Sequence, residues 1–304
     1  MAEHADYVKG LRALAGQYQL PRSTPEEQGV ASSGILSFIS AAESLELHGL
    51  MLLRHGHVLA EGWWSPYGPD LRHMLFSLSK SFTSTAIGLA TAEGRLSVDD
   101  PVCSFFPDAL PEEVSENLAA MRVRHLLTMS TGHAEEPRLM ERNDGDWVKG
   151  FLHAPVAHVP GTLFLYNSPA SYMLSAIIQR VTGQRLLDYL HPRLLEPLGI
   201  AEATWETCPK GINTGGWGLS IKTEEIARFG QLYLQQGVWN GRRLLPQGWV
   251  EEATARQVSC DEGRRGDWAE GYGYQFWRSR HGYRGDGALG QYCVVGGVPT
   301  YAPK

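Results

Sequence analysis

The stretch "FSLSKSFTSTAIGLA", residues 76–90, sets a serine three positions before a lysine at the head of an apolar-striped segment. Phe82, Ala86, Ile87 and Ala90 recur at helical spacing, which predicts a helix with Ser77 at its mouth and Lys80 in its first turn. Residues i and i+3 share a helix face, so the hydroxyl and the amine come within reach of each other. A serine hydroxyl is a weak nucleophile at neutral pH and needs a base to take its proton. A lysine withheld from water has its pKa lowered toward a range where it can serve as that base. Unpaired N–H groups at a helix start would also favour a developing oxyanion. The same two residues read equally well as an ordinary cap and a surface cation, so the surrounding sequence has to decide.

Working outward, 304 residues with 43% hydrophobic and 20% charged content fit a globular protein large enough to bury a sizeable core. The net charge of -6, with 27 basic and 33 acidic residues intermixed, gives no footprint for nucleic acid. Cys103, Cys208, Cys260 and Cys293 are widely spaced and predict buried free thiols rather than a zinc site or a disulfide framework. The opening "MAEHADYVKGLRALAG" carries charges where a signal peptide needs an apolar core, and no apolar run approaches the ~20 residues of a membrane span. A cytoplasmic protein without membrane contact is therefore expected.

Residues 32–45 carry helical spacing, and "HGLMLLRHGHVLAEGWW" (48–64) reads as two strands joined at Arg54 to Gly56. His55-Gly56-His57 has metal-compatible side chains, but around a glycine between strand ends it reads as a solvated turn. Helical segments follow from about 79 to 207, broken by loops at "STGHAEEPR" and "HAPVAHVPGT", and a further helix spans 223–237. Lys222-Thr223 opens that last helix with acidic residues in its first turn, so it reads as capping. Aromatic and β-branched residues punctuated by glycine return at 271–295, predicting strands and tight turns. Strands at both ends around a helical middle predict an α/β fold: one antiparallel sheet built from both chain ends, flanking helices and an inserted helical lobe. The expected division is a single catalytic unit over 1–304, with a sheet lobe from 28–70 and 208–304 and a helical lobe from 71–207. Trp217 and Trp268 sit in glycine-rich stretches that suit either a cleft or the core.

Four blocks in order, "FSLSKSFTSTAIGLATAEGRLSVDDPV", "RVRHLLTMSTG", "PGTLFLYNSPASYMLSAIIQRVTG" and "GGWGLSIKTEEIARFGQLYLQQGVWNGRRLLP", resemble the serine β-lactamase and penicillin-binding-protein superfamily over about residues 28 to 295. The likeness is to the class C-like branch of esterases, 6-aminohexanoate-oligomer hydrolases and D-amino-acid peptidases. It implies a β-lactamase/DD-peptidase-like fold and a serine hydrolase that cleaves an ester or amide through an acyl-serine, with no cofactor. It assigns Ser77 as the acylated nucleophile, Lys80 as its partner and Tyr166 as the proton relay to the leaving group. Gly287 would let substrate lie against a strand edge, and the N–H groups of Ser77 and Ala288 would form the oxyanion hole. Asn167 and Ser168 fall where the family contacts the substrate amide.

Two departures bear on substrate choice. The family's Tyr-x-Asn order appears here as Tyr166-Asn167-Ser168, and its Lys-Thr-Gly or His-Thr-Gly strand motif is replaced by Gly285-Asp286-Gly287, without the cationic anchor. A ligand-binding sensor that is acylated or occupied without turnover is the alternative reading. The family's usual final strand and long helix have no counterpart after about residue 295, which implies an open sheet edge and self-association through it.

Because Ser77 is the serine paired with a lysine at i+3 in the site block, a serine-directed fluorophosphonate is expected to add once, at Ser77, by intact mass and peptide mapping. Labelling that survives Ser77→Ala and maps to Ser79, Ser81 or Ser220 contradicts the assignment.

Overall fold

The computed structural model describes residues 19–45, 47–260, 269–280, 282–286 and 292–295. A first helix, α1 (Ser32–Ala42), leads into the antiparallel hairpin β1 (Gly49–Arg54) and β2 (His57–Trp63). His55 and Gly56 form the connection with φ of 51° and 79°. Two successive left-handed residues give the turn whose twist matches that of the flanking strands, so the joint falls where the sequence places it.

The core is organised around α2 (Ser79–Ala92). Every residue from Ser79 to Ala90 is buried, so the helix is enclosed on all sides and the apolar stripe marks only its most apolar face. Its polar positions survive burial because each of several is paired: Thr83 Oγ1 donates to the Gly215 carbonyl at 2.7 Å, and Thr85 Oγ1 lies 2.7 Å from the Tyr233 hydroxyl. Short helices α3 (Glu116–Ala120), α4 (Val123–Leu127) and α5 (Trp147–Leu152) lead to the long α6 (Ser168–Thr182) and then α7 (Leu186–Leu190). Helices α4, α5 and α2 all pack on α6, which is buried from Pro169 to Ile178. This is the helical middle that the sequence predicts.

Three short strands, β3 (His73–Met74), β4 (Thr204–Trp205) and β5 (Leu219–Ile221), form an antiparallel sheet in the order β3-β5-β4 directly ahead of α2. Helix α8 (Thr223–Leu234) follows, and the Glu225 carboxylate accepts the Lys222 N–H at 2.7 Å, so Lys222-Thr223 does open a capped helix. Gln236 and Gly237, both at positive φ, close it. The small hairpin β6 (Val238–Trp239) and β7 (Arg242–Arg243) and helix α9 (Trp249–Thr254) lead to the meander β8 (Trp277–Ser279), β9 (Gly282–Asp286) and β10 (Tyr292–Val295). Among the described residues the two chain ends form separate antiparallel ladders, β1–β2 and β8–β9–β10, rather than one continuous ladder. Both β1 and β10 lie against α8, which accounts for the common layer the sequence pattern suggests. Cys208 and Cys260 are buried thiols, whereas Cys103 is only half-buried.

Gly88 shows how tightly α2 is enclosed: a Cβ there would lie 2.7 Å from Trp249 Nε1, inside van der Waals contact. Ala normally stabilises an exposed helix interior by about 0.5–1 kcal/mol relative to Gly. Overpacking a core costs about 1–3 kcal/mol, so Gly88→Ala is expected to lower Tm by several degrees in a thermal melt. A raised Tm contradicts the seating of Trp249 on α2.

Candidate active site

Ser77 lies in a single 3-10 turn, Phe76–Leu78, between β3 and α2. The turn is anchored from behind by the Leu75 N–H, which donates to the Leu219 carbonyl at 2.7 Å. Phe76 has φ of 45°, a left-handed conformation that is costly for a bulky residue and persists only where the surroundings impose it. The consequence is a half-buried Ser77 whose hydroxyl turns toward α2 rather than capping it.

Lys80 is 1% exposed. Its ammonium Nζ donates to Ser77 Oγ at 2.9 Å, Ser168 Oγ at 3.2 Å and the Gly216 carbonyl at 2.7 Å. Burial pushes its pKa down to about 7, opposed by the negative charge of Glu136. Deprotonation leaves two N–H donors and one lone pair on the amine. The Gly216 carbonyl can only accept, so it is a serine hydroxyl that must then turn and donate to the amine. The cage thus accommodates both protonation states of Lys80, and one of them accepts a proton from the Ser77 side.

Tyr166 lies between these elements. Lys80 Nζ sits 4.9 Å from its ring centroid, and the ring stacks on Trp277 at 5.4 Å and 22° and meets Tyr272 edge-on at 6.2 Å. The Leu165 N–H donates to the Met129 carbonyl at 2.9 Å, fixing the backbone that carries Tyr166. The next residue, Asn167, is fully buried and caps α6, its Oδ1 accepting the Ala170 N–H at 3.1 Å and its amide donating to Thr131 Oγ1 at 3.4 Å. Ser168 is half-buried, with its hydroxyl accepting from Lys80 and its N–H donating to Glu136 Oε1 at 2.8 Å. The structure brings Ser77, Lys80, Tyr166 and Ser168 into one cluster.

Gly287 and Ala288 lie outside the described residues, as does Trp268. Two positions earlier, Gly285 on β9 is close enough to the start of α2 that a Cβ would lie 2.8 Å from Ser81 Oγ. Strand β9 therefore runs against the first turn of α2. Trp217 is half-buried beside Trp147, with its carbonyl accepting from Trp205 Nε1 at 2.8 Å, so it joins the core to the rim. Sequence reasoning missed Glu136, the Gly216 carbonyl and Gln275. The glycine pair 215–216 was a signal, because a Cβ at Gly215 would lie 2.9 Å from Ser175 Cβ and one at Gly216 would lie 3.0 Å from the Ser168 carbonyl. Glu136, an exposed carboxylate in a mixed-charge loop, had none. Among the described residues no group of three or more His, Cys, Asp or Glu side chains gathers in a metal-binding arrangement, and no described helix is long and apolar enough to cross a membrane.

A model of the family described as Beta-lactamase matches residues 39–299. The chain is 30% identical over 247 residues to a 6-aminohexanoate-dimer hydrolase of Paenarthrobacter ureafaciens, covering 75% of this chain and 63% of that protein. It is 26% identical over 182 residues to esterase EstB of Burkholderia gladioli, covering 54% of this chain and 46% of that one. The chain thus spans less than two thirds of either relative. Among solved structures, an octameric penicillin-binding protein homologue from Pyrococcus abyssi superposes with a TM-score of 0.65 at 20% identity, over 86% of this chain and 67% of its own. That likeness shows the shared fold.

The pKa of Lys80 sets a pH dependence. Neutral amine is the form that accepts a proton, so acylation of Ser77 is expected to rise with pH through about 7 and then level off. Glu136→Gln removes the charge that favours the ammonium, so its rise is expected at lower pH than that of the wild type. A profile in which the two proteins coincide, or which is flat from pH 5 to 9, contradicts this electrostatic account.

Proposed function

Because the chain belongs to the beta-lactamase family, whose model spans residues 39–299, we propose that it is a serine hydrolase acting on an ester or amide through an acyl-serine intermediate. The observation that carries this reading is the 2.9 Å contact between Ser77 Oγ and an enclosed Lys80 whose pKa is about 7. Ser77 Oγ attacks the substrate carbonyl carbon while its proton passes to the neutral Lys80 amine. The carbonyl oxygen becomes an oxyanion, held by the backbone N–H of Ser77 and, on the family resemblance, that of Ala288. Collapse of the tetrahedral intermediate expels the alcohol or amine, which takes up a proton relayed from Lys80 through Tyr166. Water then attacks the acyl-serine carbonyl carbon, giving its proton to Lys80; as the Ser77 Oγ–carbon bond breaks, that proton returns to Ser77 Oγ and the acid leaves.

Substrate class follows from three features. Two relatives are named a 6-aminohexanoate-dimer hydrolase and an esterase, Ser168 stands where the family's asparagine would, and Gly285-Asp286-Gly287 lacks a cationic side chain for a lactam carboxylate. All three support open-chain esters or amides over β-lactams. Self-association is proposed on lesser ground: β10 is an outer strand of its sheet among the described residues, and a relative of the same fold is titled octameric. A cytoplasmic setting is supported by the free thiols of Cys103, Cys208 and Cys260.

Lys80→Ala and Tyr166→Phe are each expected to lower turnover of a short ester by roughly a hundredfold or more with the circular dichroism spectrum unchanged. Near-normal turnover in either variant removes that residue from the proton path. In the same assay a chromogenic cephalosporin is expected to turn over far more slowly than the best ester. Comparable efficiency contradicts the substrate class, and an initial burst without steady release identifies a sensor instead.

A further inference from the structure

Gln275 sits at the tip of a tight turn between Tyr272 and Trp277, where the Gly273 N–H donates to the Phe276 carbonyl at 2.8 Å. Turn tips ordinarily face solvent, yet Gln275 is 2% exposed. Its φ is 65°, a left-handed value that a residue with a side chain adopts at a cost. A buried polar residue in an unfavourable backbone conformation is held there by its surroundings, and here the surroundings are the three segments that build the active site.

The backbone carbonyl of Gln275 accepts from Ser81 Oγ at 3.1 Å, on α2 next to Lys80. Its Oε1 accepts from Ser171 Oγ at 2.6 Å, on α6 one turn beyond Ser168. Its Nε2 donates to the carbonyls of Leu126 at 3.1 Å and Leu127 at 2.9 Å, and its backbone N–H also donates to Leu127 at 3.1 Å. The orientation of the amide is fixed by its partners, since two carbonyls require the NH2 end. Leu126 and Leu127 close α4 just before Met129, whose carbonyl holds Leu165 beside Tyr166. Two residues after Gln275, Trp277 stacks on the Tyr166 ring. All the hydrogen-bonding groups of one buried residue are therefore spent on the α2, α6 and α4 segments.

We propose that Gln275 is a positioning residue for acyl transfer, locking the helix that carries Lys80, the helix that carries Ser168 and the end of α4, which leads to the backbone support of Tyr166, into one register. This rests on the serine hydrolase reading. Reacting groups displaced by even 1 Å lose much of the benefit of proximity, so a lock of this kind acts on rate more than on folding.

The test measures the second-order rate of fluorophosphonate acylation of Ser77 as a function of pH, per folded molecule, with thermal melts giving the folded fraction. Gln275→Met keeps the volume and removes the amide, and it is expected to slow acylation tenfold or more. Ser171→Ala removes one strut and is expected to slow it threefold or more. Gln275→Glu supplies the most diagnostic readout. A buried carboxyl facing two carbonyls has its pKa raised, and only its protonated form can donate to them. Its rate relative to wild type should therefore be near one at low pH and fall as pH rises, a trend that a purely structural role would not produce. If Gln275→Met fails to fold, the other two variants decide by the same limits. Folded variants within twofold of wild type at every pH overturn the proposal alone. A wild-type protein that is not labelled at Ser77 overturns the hydrolase reading and this proposal together.

Discussion

The structure depends on one unusual placement, a lysine amine with almost no access to water at the first turn of the central helix. An ammonium in such a place is unfavourable unless every proton finds an acceptor. Ser77 Oγ, Ser168 Oγ and the Gly216 carbonyl provide three. They come from three separate stretches of chain, so the amine is satisfied only when α2, the start of α6 and the 215–216 segment are all in place. The cost of burial is not removed by this cage. With the folded pKa near 7 and an ordinary value of 10.5, the unfolded chain binds more protons at Lys80 between those limits. The penalty is thus fully present below about pH 7 and is relieved as pH rises toward 10.5.

That penalty is useful where a proton has to move. An amine that changes charge state near pH 7 while hydrogen-bonded to a hydroxyl can take up a proton at that pH, whereas a solvated lysine there stays protonated. The surrounding architecture maintains the condition. Strand β3 delivers the chain into a strained turn at Phe76, helix α2 is enclosed on every side, and glycines 215 and 216 let backbone approach where side chains would collide. Glu136 works in the opposite sense by favouring the ammonium, and its carboxylate also receives the N–H of Ser168. The balance between enclosure and this one exposed carboxylate sets where the amine titrates.

Local chemistry was the part most legible in the sequence. The i, i+3 pairing of Ser77 and Lys80, the turn at His55-Gly56 and the capped start at Lys222-Thr223 all depend on neighbours in the chain, and each is found as the residues predict. Tyr166 and Ser168 were placed by resemblance, and they do meet Lys80. For Asn167, an asparagine at a helix start suits a cap and a ligand contact equally in the sequence, and the cap it makes on α6 is visible only once the helix is packed. The all-round burial of α2 was hidden by its many Ser and Thr residues, which look solvent-facing until their distant acceptors are known. Glu136 and Gln275 act across 32 or more residues of sequence separation, and nothing in their immediate neighbours announces it.

The central claim concerns the charge state of one side chain, and the chain has only six lysines with which to observe it. Protein carrying carbon-13 at the lysine ε position gives one resonance set per lysine, and the set lost in Lys80→Ala identifies Lys80. A titration from pH 5 to 11 is predicted to show the Lys80 set changing state near pH 7. A Lys80 resonance that shifts only at about 10, the ordinary lysine range, would contradict the account.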